Sequence, residues 1–260
     1  MCTLIAKKFP NIGWVGVKNR DRSAPTETEL LRDQEDRFQR VTLMDETTRW
    51  TEGMNSNGVS IISSSLYPII HGDPGTHRTG GSLIRNALAQ PTVEKAVRYL
   101  EKVNAHGCVM VFDRNHLWLI EGKVNSNQQV VRKITDDYIA RTNHGVWIPS
   151  AGYQPHSKNK ILAMRRISSI ARLKIANFIL DSATKPDELM PLLAKQWIDN
   201  PQLTTLRTPI PGIDTRTTEQ LMLEPGKKLV IVRNVNGILE FNQEDANPPG
   251  SEVLVGVVQS

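Results

Sequence analysis

The sequence predicts an α+β protein in which two antiparallel sheets pack face to face with helices outside them. Three observations carry this. The first half contains short apolar strand-like runs joined by turn residues, beginning with Cys2-Thr3-Leu4-Ile5-Ala6 and Gly13-Trp14-Val15-Gly16-Val17. Helical periodicity then takes over between residues 81 and 100 and again between 157 and 197. Strand patterns return after each helical block, at 107–142 and at 218–258. Strands, helices, strands, helices and strands in that order suit two sheets that bury one face on each other and the other under helices.

The first two runs read as a hairpin turning through Pro10-Asn11-Ile12-Gly13. A hairpin of this length brings the end of its second strand back beside the N-terminus, so Lys18, Asn19, Arg20 and Asp21 are expected close to Cys2. Arg22–Arg37, with mixed charges, reads as an exposed loop or short helix near the mouth of a site. Val59–Ser63 is a strand. Gly81–Leu88 and Thr92–Leu100 are helices, the second capped by Thr92 with an incomplete capping box, since Lys95 stands where Glu or Gln would complete it.

Strands follow at 107–112, 116–121, 128–133 and 138–142, with turns through Asp113-Arg114-Asn115 and the Gly122–Asn127 loop. Residues 157–182 form one long helix and Pro186–Trp197 a shorter one. The closing strands are 218–223, 228–234, 238–241 and 252–258. There is no internal repeat and no long linker, and 260 residues suit one domain spanning 1–260.

Composition excludes several classes. Hydrophobic residues are 39% and charged residues 23%, which argues against wholesale disorder. Cys2 and Cys108 alone do not make a disulfide framework. Cys108, in Gly107-Cys108-Val109-Met110-Val111-Phe112, reads as a small buried hydrophobe. The N-terminus has no cationic stretch followed by a long apolar run, and no segment reaches the length of a membrane span. A cytoplasmic location is expected, where a reducing environment keeps the thiols free.

The net charge of +5 and the pI of about 9.2 raise the question of an anionic partner. The basic residues concentrate in the long helix, from Lys158 and Lys160 through Arg165 and Arg166 to Arg172 and Lys174, while Ile161, Leu162, Ile167, Ile170, Leu173 and Phe178 follow helical spacing. Contact of its polar side with nucleic acid or an anionic surface is one reading. A solvated outer helix is the favoured one, because no aromatic stacking cluster or nucleic-acid module accompanies it. The six histidines show no metal-ligand spacing and there is no phosphate-binding glycine loop, so neither metal nor cofactor is expected.

Cys2 carries the chemistry. Methionine is normally removed ahead of a small second residue, which would leave a cysteine with a free α-amino group: a strong nucleophile with its own adjacent base. Such an amine has a pKa of roughly 7.7–8.0, suited to a proton shuttle near neutral pH. A cation from the Lys18–Asp21 segment would favour the thiolate.

Four blocks in order, Cys2-Thr3, Lys18-Asn19-Arg20-Asp21, Glu52-Gly53-Met54-Asn55-Ser56-Asn57-Gly58-Val59 and Arg141-Thr142-Asn143-His144, resemble the landmarks of the cysteine N-terminal-nucleophile hydrolases. The resemblance is to the choloylglycine hydrolases (bile-salt hydrolase and penicillin V acylase) and the isopenicillin N acyltransferase-like group. It implies a four-layer αββα sandwich, Cys2 as nucleophile, Asp21 as the carboxylate holding the α-amine, and Asn143 as part of the polar site.

Lys18 stands where the family carries an arginine, with Arg20 as the reserve cation, on the opposite strand face from Asn19 and Asp21. Asn55 in the Met-Asn turn, Ser65 at the position of a family oxyanion asparagine, and Asn143 are the substrate- and oxyanion-facing candidates. Arg216, after Pro211-Gly212, resembles a late family arginine, and His144 reads as a structural hydrogen-bonder. The expected activity is cleavage of a linear, non-peptide amide of a small N-acyl substrate. The alternatives are an acyltransferase of the same fold and a catalytically silent basic binding protein. Homo-oligomerisation is left open.

Overall fold

A computed structural model describes residues 2–22, 28–33, 39–46, 49–66, 78–154, 158–207, 215–234 and 251–257. Among the described residues thirteen strands form two sheets. The first contains β1 (Cys2–Phe9), β2 (Gly13–Arg22), β10 (Tyr138–Arg141), β11 (Arg216–Glu224), β12 (Lys228–Asn234) and β13 (Ser251–Val257), in the order β10-β1-β2-β11-β12-β13. The second runs in chain order through β3 (Thr28–Asp33), β4 (Arg40–Asp45), β5 (Thr51–Asn55), β6 (Ser60–Ser64), β7 (Gly107–Phe112), β8 (Leu117–Gly122) and β9 (Gln129–Lys133). Every strand pair is antiparallel.

Three cores correspond to the three interfaces of a four-layer sandwich. Leu4, Ala6, Met54, Ile62, Met110, Phe112, Leu221 and Leu223 meet between the sheets. Ile5, Val15, Val17 and Met222 pack under α3 (Lys160–Ser182) and α4 (Leu189–Ala194). Ile61, Val109, Val111 and Ile120 pack under α1 (Arg78–Leu88) and α2 (Val93–Lys102). The period-two alternation is visible within single strands: Leu4 and Ala6 face the other sheet while Ile5 faces the helices, and Leu221 and Leu223 flank Met222 in the same way. Strands with both faces covered must be apolar on both, which is why these segments read as continuous runs.

The N-terminal hairpin forms as expected, with Cys2 opposite Arg20 and Leu4 opposite Lys18. It turns through Gly13 at φ +97, where a side chain would strike the backbone of Arg114. The Thr92 hydroxyl accepts from the Lys95 N–H at 3.3 Å, the cap read from the sequence.

Several expectations are corrected. Within Arg22–Arg37, Thr28–Asp33 is a strand rather than a loop or helix, paired with β4, which the sequence pattern left unassigned. As the edge of its sheet, with Glu29 and Arg32 exposed, it lacks an apolar signature. Pro186–Trp197 is a short 3-10 turn (Pro186–Glu188) followed by α4, which stops at Ala194. The long helix begins at Lys160 under an Asn159 cap, and the strand expected at 238–241 lies outside the described residues. Among the described residues, no helix is long and apolar enough to cross a membrane.

The facing of α3 also departs from the apolar-inward reading. Its buried residues are Ser168, Ser169, Arg172, Ala176, Ile179 and Leu180, while Ile161, Ile167 and Phe178 point outward. The N-terminal half turns polar side chains toward the sheet because that is where the residues around Cys2 lie.

Candidate active site

Cys2 begins β1, the strand next to the β10 edge, and is 9% exposed. Pairing with Arg20 puts its thiol on the face that looks at the second sheet, the face shared by Leu4, Lys18 and Arg20. That face holds a buried ionic network. Lys18 Nζ lies 2.5 Å from Glu52 Oε1, and the same oxygen accepts from the Ser63 N–H at 2.8 Å. Arg20 pairs with Asp45 and, at 3.4 Å, with Glu219; Arg22 reaches Asp45 at 2.8 Å.

The cations of Lys18, Arg20 and Arg22 thus balance the carboxylates of Glu52, Asp45 and Glu219, and the thiol sits beside them. Burial pushes the Cys2 thiol up, as does Asp21 to a lesser degree, yet the attraction of Lys18, then of the N-terminal amine and of Arg22, leaves it below its ordinary value. Both Lys18 and Arg20 therefore share the thiol's face, and Lys18 exerts the larger pull. Cys108 shows the opposite outcome: buried deep in its sheet, its thiol is pushed up to about 12.

The other face of the hairpin end is built around Asp21 and Arg172. Arg172 Nη1 donates to the Cys2 carbonyl at 2.9 Å and to Thr3 Oγ1 at 3.0 Å, and lies 3.4 Å from Asp21 Oδ2. Its Nη2 reaches Asn143 Oδ1 at 3.3 Å. Asp21 also accepts from Thr217 Oγ1 at 2.8 Å and faces Arg207 at 3.9 Å. Arg172 therefore ties Asp21 to the backbone of Cys2.

Asn143 follows β10, the strand beside β1. Its Oδ1 accepts from the Cys2 nitrogen at 2.8 Å and its Nδ2 donates to the Ser65 carbonyl at 2.9 Å. The Asn143 N–H donates to Ser169 Oγ at 2.9 Å.

The hydrogen bonds around His144 accommodate a neutral ring with its proton on Nδ1. Thr142 Oγ1 donates to the Ser169 carbonyl, and Ser169 Oγ donates to Thr142 Oγ1 while accepting the Asn143 N–H, each at 2.9 Å. The remaining acceptor site on Ser169 Oγ suits an N–H on His144 Nδ1, also at 2.9 Å. Burial, then Arg166, Arg172 and Arg141, lower the imidazole to about 4, consistent with a neutral ring in the structural role expected of it.

The sequence-derived candidates fall into two groups. Cys2, Lys18, Arg20, Asp21 and Asn143 converge, and the Ser65 backbone joins them. Asn55 does not. Asn55 spends its side chain on its own turn and on α1, accepting from the Asn57 and Val59 N–H groups and donating to the carbonyls of Leu88 and Gln90. Arg216 stands in register with Arg22, two residues along β2 from the Arg20 that faces Cys2.

The arginine that reaches Cys2 is Arg172. Its signal is the stripe Ser168, Ser169, Arg172, Ala176: polar and small residues at helical spacing within α3. Glu52, at the head of the Glu52–Val59 block, is the partner of Lys18. Among the described residues, no group of three or more His, Cys, Asp or Glu side chains converges to hold a metal.

No protein-family model matches the chain, and no curated protein does. Solved structures do match. A mutant of the conjugated bile acid hydrolase from Clostridium perfringens aligns over 100% of this chain and 97% of its own, at a TM-score of 0.51 and 10% identity. Penicillin V acylase from Agrobacterium tumefaciens aligns over 88% of this chain and 82% of its own, at a TM-score of 0.48 and 16% identity. At 10% identity the likeness to the bile acid hydrolase is one of fold.

Proposed function

We propose that this chain, which carries the N-terminal-nucleophile hydrolase fold, is an amidohydrolase that cleaves the C–N bond of a small, linear, non-peptide N-acyl amide through a thioester on Cys2. The observation that carries the reading is the 2.8 Å hydrogen bond from the Cys2 nitrogen to Asn143 Oδ1, beside a thiol held below its ordinary pKa. Once Met1 is removed, that nitrogen is a primary amine already oriented by a side-chain acceptor. The whole chain acts as one catalytic domain, in a cytoplasmic setting that keeps the thiol reduced.

The amine takes the thiol proton as the sulfur attacks the acyl carbon. It returns the proton to the substrate nitrogen as the C–N bond breaks and the amine product leaves. Water, deprotonated by the same amine, then releases the acid and frees the thiol. Asn143 has two amide hydrogens and spends one on Ser65, which leaves the other for the developing oxyanion. Lys18 favours the thiolate, and Asp21 acts on the amine's surroundings through Arg172.

A panel of N-acyl amides with varied acyl chains tests the reading, with intact-mass detection of an acyl adduct on Cys2. Turnover with a transient adduct supports it. A mature chain that retains Met1, or a processed chain that forms no adduct across the panel, counts against it.

A further inference from the structure

The outer face of α3 is apolar where a helix over a sheet normally faces water. Ile161, Met164, Ile167 and Phe178 are 62%, 55%, 59% and 55% exposed, and with Ala171 they lie at helical spacing along one side. Of the six large hydrophobic side chains exposed among the described residues, these four and Ile198 belong to α3 and the segment packed beside it. Phe178 meets Trp197 edge to face at 5.3 Å, with Lys195 Nζ 4.8 Å from the centre of the Trp197 ring.

Along the stripe from Lys158 to Leu180 the charge has one sign. From Lys158 to Leu180 there is no Asp or Glu, and Lys158, Lys160 and Lys174 are exposed at its edges. The first acid after Lys158 is Asp181, at the C-terminal end of the helix. Since the buried face of α3 is occupied by the Ser169 and Arg172 contacts, these apolar residues are not a misplaced core.

We propose that the outer face of α3 docks on an anionic lipid bilayer surface, with Ile161, Met164, Ile167 and Phe178 entering the boundary of the acyl chains and Lys158, Lys160 and Lys174 meeting the headgroups. Apolar side chains flanked by lysines, whose stems reach along an apolar surface while the ammonium groups stay at the polar layer, match an interfacial helix lying in the plane of a membrane. A second copy of this chain is the poorer occupant. Two such helices packed face to face would bring lysines against lysines, whereas an anionic surface neutralises them.

The test is co-sedimentation of the full-length protein with neutral phosphatidylcholine vesicles and with vesicles also containing phosphatidylglycerol. Binding is expected to the anionic vesicles, weakening as salt is raised. It should fall roughly tenfold or more in Ile161→Ser/Met164→Ser/Ile167→Ser. A second variant, Lys158→Glu/Lys160→Glu/Lys174→Glu, leaves the apolar residues in place and should lose the preference for anionic lipid. Circular dichroism establishes that both variants are folded.

Absence of binding to either vesicle, equal binding to both, or undiminished binding by the folded variants would overturn the proposal. So would a concentration-dependent dimer that the apolar variant abolishes. None of these outcomes bears on Cys2 chemistry, which is read separately with a soluble amide.

Discussion

Arg172 Nη1 donates to the carbonyl oxygen of Cys2 at 2.9 Å, so the first residue of the sheet is held from behind by a guanidinium on an outer-layer helix. The same guanidinium reaches Asn143 Oδ1, the acceptor of the Cys2 nitrogen. One side chain therefore fixes both ends of the Cys2 backbone, and its own charge is offset by Asp21. This explains a fully buried arginine on a helix whose exposed face is apolar.

Replacing Arg172 separates geometry from charge. Arg172→Lys keeps the cation but not the planar fork, so it cannot serve the Cys2 carbonyl, Thr3, Asp21 and Asn143 together. Acylation of Cys2 by an active amide should slow by about 10²-fold, the scale expected when reacting groups lose their alignment. Arg172→Met also strips Asp21 of its nearer cation and should cost about 3–5 kcal/mol of stability, since it leaves a buried charge poorly compensated. Adduct kinetics by mass spectrometry and denaturant melts read the two effects. Wild-type acylation in Arg172→Lys would remove Arg172 from the site.

The sign of the Lys18 effect is open to direct measurement. A nearby cation favours the thiolate, so Lys18→Met should raise the pKa of Cys2, and Glu52→Gln, which frees Lys18 of its counter-charge, should lower it further. The readout is the pH dependence of Cys2 alkylation by iodoacetamide, with Cys2→Ala as the blank. Cys108 does not interfere, being buried and held up at about 12. Shifts of the same sign in both variants would show that the pair does not set the thiol's ionisation.

Much of this was readable in the sequence, and the exceptions share a cause. The N-terminal hairpin was legible because its strands are continuous apolar runs and its turn is marked by Pro10 and Gly13. Its register then placed Lys18, Arg20 and Asp21 at Cys2. β3 was not legible, because an edge strand needs little apolar pattern.

Arg172 was missed because an arginine in a basic helix reads as a solvated charge. Only the tertiary fold shows that Ser168, Ser169 and Arg172 point inward while Ile161 and Ile167 point out. Asn55 sat in a motif whose turn geometry consumes its side chain, a fact that spacing alone does not reveal.

His144 predicts a pH dependence of stability. Its ring binds a proton only near about 4 when folded but near 6.5 in an exposed setting. Between those values the unfolded chain holds more protons, so stability rises with pH there and is lost as pH falls through the window. Urea midpoints of wild type should therefore drop between about pH 7 and about pH 4.5, and those of His144→Gln should drop less. Parallel curves for the two proteins would mean that the acid sensitivity lies elsewhere.

The final prediction concerns the Cys2 nitrogen, whose acceptor Asn143 lies 2.8 Å away. If that nitrogen is the base, it must be a free amine, and an uncleaved N-terminal tag should abolish turnover although the thiol survives. A cysteine site served by a histidine elsewhere in the chain would tolerate the tag. The tagged chain should still be alkylated at Cys2, since Lys18, the largest attraction on the thiolate, and Arg22 remain when the amine's own pull is lost. Removing the tag to expose Cys2 should restore turnover of the same amide, and Cys2→Ser, whose hydroxyl ionises far less readily, should recover little of it. Equal rates from the cleaved and uncleaved forms would leave a thiol nucleophile in place and eliminate the amine as its base.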